Sequence, residues 1–154
     1  MKPPKLLNNL EPLSIVNPSL EWLLVVASIS VILSLILAWL ATLIVYARVK
    51  WLKRIFPVSH NLVRAHIDYL MMATLLGVAY FSCVWLSISL PGWVIVLLCY
   101  GVLYNPLGFV VQANNPKVGK SETLIGRIAV CIGFLPTTIG FGYTFSAIFL
   151  SLWK

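Results

Sequence analysis

Four long apolar segments constrain this chain more than any other feature of its sequence. They span residues 20–45, 66–90, 93–111 and 124–153. Each is close to, or longer than, the roughly 20 residues that an α-helix needs to cross a bilayer. Because the hydrocarbon interior cannot satisfy free backbone groups, an open chain crosses it only as helices. The sequence therefore predicts an all-α integral membrane protein whose four transmembrane helices form one bundle.

Composition and charge exclude most soluble classes. Of the 154 residues, 60% are hydrophobic and 10% are charged, whereas a soluble domain is about half apolar and a quarter charged. The mean hydropathy is +0.97. The net charge of +7 lies in tails and loops rather than in a basic stripe among exposed aromatic residues, which argues against nucleic-acid binding.

The basic residues are concentrated at one end of the predicted helices. Eight of the eleven Lys and Arg side chains lie in the loops 47–65 and 112–127. By the positive-inside rule, these two loops lie in the cytoplasm and both termini lie outside. Residues 1–19 contain four prolines, and we interpret them as an interfacial tail that precedes a single transmembrane domain, residues 20–154.

The second apolar segment begins with three ionisable side chains in the stretch RAHIDYLMM, residues 64–72. Ser59 precedes this stretch and is predicted to cap the helix, since a serine oxygen can accept a hydrogen bond from a first-turn amide. Arg64 and Asp68 are four residues apart and share one helix face. We therefore predict that they form an ion pair at the membrane boundary.

His66 lies on a different face of this helix from that pair. A turn of about 100° per residue aligns it with a strip that contains two very small side chains: Tyr69, Leu70, Ala73, Gly77 and Tyr80. Two interpretations stay open. A flat, bulky ligand can lie against Ala73 and Gly77 while His66 binds it from one end. Alternatively, His66 lies at the headgroup level and the small residues permit close helix packing.

The third segment has a small and polar face formed by Gly101, Asn105, Gly108 and Gln112, at intervals of four, three and four residues. Inside a membrane, Asn105 needs a hydrogen-bonding partner or a ligand. Pro106 predicts a kink because it removes one backbone hydrogen bond. This face either joins helices or borders a substrate pocket.

The fourth segment carries the longest run of small residues at helical spacing. The intervals alternate between four and three residues along Gly133, Thr137, Gly140, Thr144, Ala147 and Ser151. Such a face permits close contact between helices in a membrane. It predicts tight packing within the chain or between copies, and hence a homo-oligomer as one possible assembly.

Two short motifs resemble those of a family of small four-helix membrane isomerases, styrene oxide isomerase and hydroxylaminobenzene mutase. The family has an Ala-His pair at the start of its second helix, which Ala65 and His66 match. The mutase branch has a Tyr-Gly-x-x-x-Asn pattern in its third helix, which Tyr100, Gly101 and Asn105 match. The four-span plan is also similar.

This resemblance, which covers residues 60–145, implies a cofactor. Styrene oxide isomerase forms a trimer that binds haem b at its subunit interfaces, with the histidine of the Ala-His pair as an axial ligand. By resemblance, His66 would bind the iron. The nearby residues Tyr69, Ala73 and Gly77 would line the cofactor.

The resemblance also implies a reaction. Ferric haem acts as a Lewis acid on a small apolar epoxide, which is converted to an aldehyde by a 1,2-hydride shift, and the mutases act on arylhydroxylamines. Asn105 would orient the substrate, and Tyr100 or Tyr104 would hydrogen-bond the developing alkoxide. The expected location is a bacterial inner membrane, where membrane lipids and further copies of the chain are the partners.

The sequence departs from the family at three places. Met72 stands where relatives often have an asparagine, Phe109 stands where the isomerase has its catalytic tyrosine, and the first helix lacks a histidine near its start. Two alternatives therefore stay open beside the isomerase. One is a non-catalytic haem-binding protein of the same fold, and the other is a structural or accessory membrane protein without a cofactor.

Overall fold

The computed structural model describes residues 18–118 and 124–153, and the regular structure within them is helical with no strand. The helices are α1 (Pro18–Val45), α2 (Lys50–Ile55), α3 (His60–Trp85), α4 (Gly92–Asn114) and α5 (Leu124–Leu152). All except α2 are long and apolar enough to cross a membrane, which confirms the predicted fold class. Most of the predicted interfacial tail lies outside the described residues.

Helix α3 begins at His60, directly after the predicted cap residue Ser59 and before the apolar segment that starts at residue 66. Ser59 occupies the predicted N-cap position, but its side chain makes no capping hydrogen bond. Its backbone already has helical angles, φ −57° and ψ −26°, whereas a capping side chain projects from an extended backbone. First-turn amides bond instead to the carbonyls of Val58 and Ser59. His66 consequently lies more than one turn inside the helix.

Helix α3 ends earlier than predicted, at Trp85, because the chain forms a Schellman turn around Ser87. Ser87 has a left-handed backbone with φ 54°. The amide of Ile88 donates to the carbonyl of Cys83 at 2.8 Å, and the amide of Ser87 donates to the carbonyl of Val84 at 3.2 Å. These two bonds define this kind of helix end, and the short link that follows leads directly into α4.

A short helix, α2, lies in the loop between α1 and α3, where only a basic loop was predicted. Its six residues are too few to show a helical period in the sequence. Leu52 is 4% exposed and belongs to a hydrophobic cluster with Ala41, Ile44 and Leu62. This contact holds α2 against the transmembrane helices.

Packing brings the two basic loops to the same end of the bundle. Helix α1 lies against α3 and α4, α3 lies against α4, and α5 lies mainly against α4. The amide of Val58, just before α3, donates to the carbonyl of Ala113 near the end of α4 at 3.3 Å. The start of α3 and the end of α4 are therefore neighbours, as four antiparallel spans require.

The packed face of α1 has a regular spacing of three and four residues, which is typical of helices that lie side by side. Its buried members are Leu20, Leu23, Ala27, Ser30, Ser34, Leu37, Ala41 and Ile44. Two of these are serines one turn apart. A serine in such a face can bond to a carbonyl of its own helix, bond to the helix opposite or remain unpaired.

The small-residue face of α5 is buried against α4 of the same chain. Thr137 lies against Gly101, and Gly140 lies against the side chain of Leu98. A Cβ placed on Gly101 would lie 2.9 Å from the Cα of Thr137, so the helices approach closely enough to need glycine here. Two kinds of contact were predicted for this face, within the chain or between copies, and the structure shows the contact within the chain.

Candidate functional site

His66 is held against α1 by Ser34. Ser34 is 1% exposed, and its hydroxyl donates to the backbone carbonyl of His66 at 2.9 Å. The same hydroxyl lies 2.7 Å from Nδ1 of His66, and Nδ1 lies 3.0 Å from the carbonyl oxygen of Ser34. The half-buried imidazole is therefore fixed at the edge of the α1–α3 contact.

The contact with the Ser34 carbonyl fits an imidazole that carries its proton on Nδ1. A carbonyl oxygen can only accept a hydrogen bond, so Nδ1 is the donor in the 3.0 Å contact with the carbonyl of Ser34. The hydroxyl of Ser34 can then donate its one proton to the carbonyl of His66. In that neutral tautomer, Nε2 has a free lone pair. Histidines that bind metals commonly have their other nitrogen bonded in this way.

The imidazole of His66 is half-buried, and its side-chain hydrogen bonds within the described residues involve Nδ1. Further along α3, a Cβ placed on Gly77 would meet no atom within 4 Å. A donor nitrogen and an open surface thus lie on the same side of α3.

Tyr69 and Ala73, which were predicted to line a cofactor, lie in the packed core. Tyr69 is 3% exposed, and its hydroxyl donates to the carbonyl of Leu103 on α4 at 3.0 Å. Ala73 is 5% exposed and belongs to a hydrophobic cluster with residues of α1 and α4. His66 lies at the edge of the α3 face that packs against neighbouring helices. Tyr69 and Ala73 lie nearer the centre of that face and are buried, whereas Gly77 borders open space.

The three residues predicted to act on a substrate form one group on α4, beside α5. A Cβ placed on Gly133 of α5 would lie 3.2 Å from the ring of Tyr104 and 3.6 Å from Oδ1 of Asn105. Tyr100 is exposed, and its ring stacks on that of Tyr104 with centroids 5.3 Å apart. We call Tyr100, Tyr104 and Asn105 the α4 polar group.

Within the described part of one chain, His66 and the α4 polar group are not brought together. The side-chain hydrogen bonds of His66 are to α1, whereas Tyr104 and Asn105 lie against α5. Two surface grooves lie on the outer faces of α1 and α5, and none of these residues lines either groove. The described side-chain contacts of His66 and of the α4 polar group are therefore made with different neighbouring helices.

The predicted ion pair between Arg64 and Asp68 is not formed in the described part of the chain. Arg64 is exposed and Asp68 is half-buried. A basic residue four positions before an acidic one is the weaker orientation for a helical pair. An exposed ion pair also adds little to stability, because water solvates the two separate charges well. The charges at the start of α3 therefore do not neutralise one another.

The two positions that depart from the family pattern are packing positions here. Met72 packs against the hydrophobic cluster shared by α1, α3 and α4. Phe109 packs against the cluster near the basic loops. Neither side chain can form the hydrogen bonds of the asparagine and tyrosine that it replaces.

Ser34 is the candidate residue that the sequence interpretation missed. A signal was present, because Ser30 and Ser34 lie one turn apart within an apolar segment. A buried serine in a membrane helix calls for a polar partner on a neighbouring helix. The sequence does not reveal which residue of which helix lies opposite.

The donor set at His66 fits a haem better than a bare metal ion. The described residues contain no group of three or more His, Cys, Asp or Glu side chains that could hold a metal ion. A haem needs only axial ligands from the protein, because the porphyrin supplies the other donors. One imidazole with a free Nε2 meets that requirement.

Comparison with protein-family models, curated proteins and solved structures finds no match to this chain. The fold therefore defines the class: an all-helical integral membrane protein with four helices able to span the bilayer. The likeness to the membrane isomerases rests on the motifs at Ala65-His66 and at Tyr100, Gly101 and Asn105.

Proposed function

We propose that this chain is a haem-dependent integral membrane isomerase in which His66 is the axial ligand of haem b. The observation that carries the proposal is the hydrogen bond between Nδ1 of His66 and the carbonyl of Ser34, at 3.0 Å. It leaves the Nε2 lone pair for iron and fixes the plane of the ring. The open surface at Gly77 supports a flat ligand beside the histidine.

When bound, ferric haem supplies a Lewis acid for the oxygen of a small apolar epoxide or arylhydroxylamine, whose isomerisation involves no net redox change. The polar groups of the chain orient the substrate and stabilise charge. The amide of Asn105 hydrogen-bonds the substrate, and the hydroxyl of Tyr100 or Tyr104 donates to the substrate oxygen as it gains negative charge. Apolar side chains around the site exclude water, which strengthens these hydrogen bonds.

This reaction requires more than one copy of the chain. His66 lies against α1 and the α4 polar group lies against α5, so the group that faces His66 is proposed to come from the next copy. A homotrimer is the assembly that the resemblance favours. We further propose a bacterial inner membrane, with the loops 47–65 and 112–127 in the cytoplasm and both termini outside.

A second candidate is a haem-binding protein of the same fold that has no isomerase activity. The packing roles of Met72 and Phe109 favour it, because two polar groups of the family's pattern are replaced by side chains in hydrophobic clusters. This candidate needs His66 and its contact with Ser34, but it does not need the α4 polar group.

The test of the haem site is a visible spectrum of the full-length protein, purified in mild detergent from haem-sufficient cells. We expect a Soret band that His66→Ala abolishes. His60→Ala is the matched control, because His60 is an exposed histidine at the start of the same helix and its loss should leave the band unchanged. A colourless wild-type preparation after haem supplementation would overturn both haem-binding candidates.

The reaction is tested separately on the haem-loaded protein, with styrene oxide as the probe and the aldehyde as the measured product. For the isomerase, we expect turnover that Asn105→Leu lowers while the Soret band persists. A haem-loaded protein without turnover on epoxides and arylhydroxylamines would favour the non-catalytic candidate.

A further inference from the structure

Six exposed cationic side chains lie at one end of the bundle. We call them the basic end: Arg48, Lys50, Lys53, Arg54, Arg64 and Lys117. The segments that contain them, residues 46–66 and 112–118, include no Asp or Glu. Within the part of the chain that the structure describes, none of these six cations forms an ion pair. Their charge is therefore available to a partner.

The basic end is formed by two parts of the chain that the fold holds together. Val58 at the start of α3 is bonded to Ala113 at the end of α4, and Leu52 anchors α2 to the hydrophobic cluster beneath it. The charges on α2, on the links beside it and after α4 are thus presented on one end of a rigid bundle. A flexible basic tail has no such fixed spacing.

Helix α2 adds exposed apolar side chains to this charge. Trp51 is 63% exposed and Ile55 is 43% exposed, and a turn of about 100° per residue groups them on one side. Lys50, Lys53 and Arg54 lie on another side, and the buried Leu52 occupies the third. A tryptophan beside basic residues is typical of a helix at the membrane–water interface.

We propose that the basic end binds the headgroups of anionic phospholipids, with Trp51 and Ile55 inserted at the boundary between headgroups and acyl chains. Charge complementarity favours an anionic partner. The adjoining α1 and α3 expose apolar side chains such as Leu43 and Val63, which places this charge beside the lipid rather than facing a distant macromolecule. The proposal does not depend on haem binding.

The expected strength of this binding follows from the electrostatic attraction between basic side chains and an anionic membrane surface. Each Lys or Arg near the surface strengthens binding by about 1 kcal/mol, which is about fivefold. Three such charges on α2 contribute on the order of a hundredfold. Because salt screens exposed charges, the preference must also weaken as ionic strength rises.

The experiment titrates the full-length protein in neutral detergent with phosphatidylglycerol or phosphatidylcholine and counts bound lipids by native mass spectrometry. The triple variant Lys50→Gln, Lys53→Gln, Arg54→Gln should lose the preference of the wild type for phosphatidylglycerol over phosphatidylcholine. Its weak binding of phosphatidylcholine should not change. The matched control, Lys50→Arg, Lys53→Arg, Arg54→Lys, keeps the charge and should behave as the wild type.

Two results would overturn the proposal. One is equal affinity of the wild type for the two lipids, and the other is unchanged phosphatidylglycerol binding in the neutral triple variant. If that variant loses helix content by circular dichroism, Lys117→Gln replaces it, because it removes one charge of the basic end without touching α2. That single change should lower the affinity for phosphatidylglycerol by less than the triple variant does, and no change in affinity would also count against the proposal.

Discussion

The α4–α5 and α1–α3 contacts of this bundle are both rich in small residues, but they leave different surfaces. At α4–α5, Gly101 meets Thr137 so closely that a Cβ would lie 2.9 Å from the Thr137 backbone. At α1–α3, Ser34 and His66 are joined through hydrogen bonds, and Gly77 on α3 faces open space. At α4–α5 the backbones of the two helices are in close contact, whereas at α1–α3 hydrogen bonds join the helices beside an open surface.

This difference separates two meanings of glycine in a membrane helix. A glycine whose space is taken by the neighbouring helix contributes to stability, because it permits close backbone contact. A glycine with no atom near its missing Cβ contributes nothing to that contact, and its surface is available to a ligand, to lipid or to a second copy. The sequence pattern alone does not distinguish the two.

The largest expected effect is that of Gly101→Ala. Because the added methyl group would meet the backbone of Thr137 as well as its hydroxyl, rotation of the threonine side chain does not relieve the clash and the helices must move apart. We expect a loss of about 2 to 3 kcal/mol in the free energy of unfolding, the upper part of the range for overpacking. Reversible unfolding in mixed micelles measures this loss.

Gly108→Ala is the matched control on the same helix, since a Cβ there meets nothing within 4 Å. It should stabilise the protein by up to about 1 kcal/mol, the helix-propensity gain of alanine over glycine, which Gly101→Ala shares. Equal losses for Gly101→Ala and Gly108→Ala would mean that close α4–α5 contact does not stabilise the bundle, and the comparison between the two contacts would fail.

A smaller effect is expected for Ser34→Ala. The variant removes the hydroxyl bonded to His66 but retains the backbone carbonyl that accepts from Nδ1. Interhelical hydrogen bonds in a membrane contribute about 0.6 to 1.7 kcal/mol, so the free energy of unfolding should fall by that amount. The proton should remain on Nδ1, as ¹⁵N chemical shifts of the imidazole would report.

Ser30→Ala provides the contrast for that variant. Ser30 is buried one turn away on the same face, but within the described residues its hydroxyl has no partner. Removing an unpaired buried hydroxyl should leave stability unchanged or raise it. If Ser30→Ala destabilises the protein as much as Ser34→Ala, the Ser34–His66 contact contributes no specific hydrogen-bond energy.

The smallest expected effect concerns Arg64 and Asp68. Because the described structure contains no ion pair between them, a double-mutant cycle with Arg64→Gln and Asp68→Asn should give a coupling energy near zero. Helical pairs that do form show about 0.3 to 0.5 kcal/mol. A coupling at or above that range, measured from unfolding in micelles at low salt, would restore the pair predicted from the sequence.

Much of the fold was predictable from local properties of the chain. Apolar length identified the four spans, and the motif around Ala65-His66 drew attention to the histidine that the structure holds by three contacts. The C-terminal end of α3 was placed less well, because the Schellman turn at Ser87 depends on backbone geometry. Helix α2 was missed because six residues show no period.

The sequence by itself determined that this chain has four segments long and apolar enough to span a membrane, with most of its basic residues in two loops, since hydropathy, length and charge are properties of each segment alone. The tertiary structure decided which face of each helix meets which neighbour. It paired His66 with Ser34, turned Tyr69 inward to Leu103 and set Asn105 beside Gly133. The physical reason is that an apolar helix can rotate and slide in lipid at little cost, so its register is fixed only by the packing and hydrogen bonds made when helices meet.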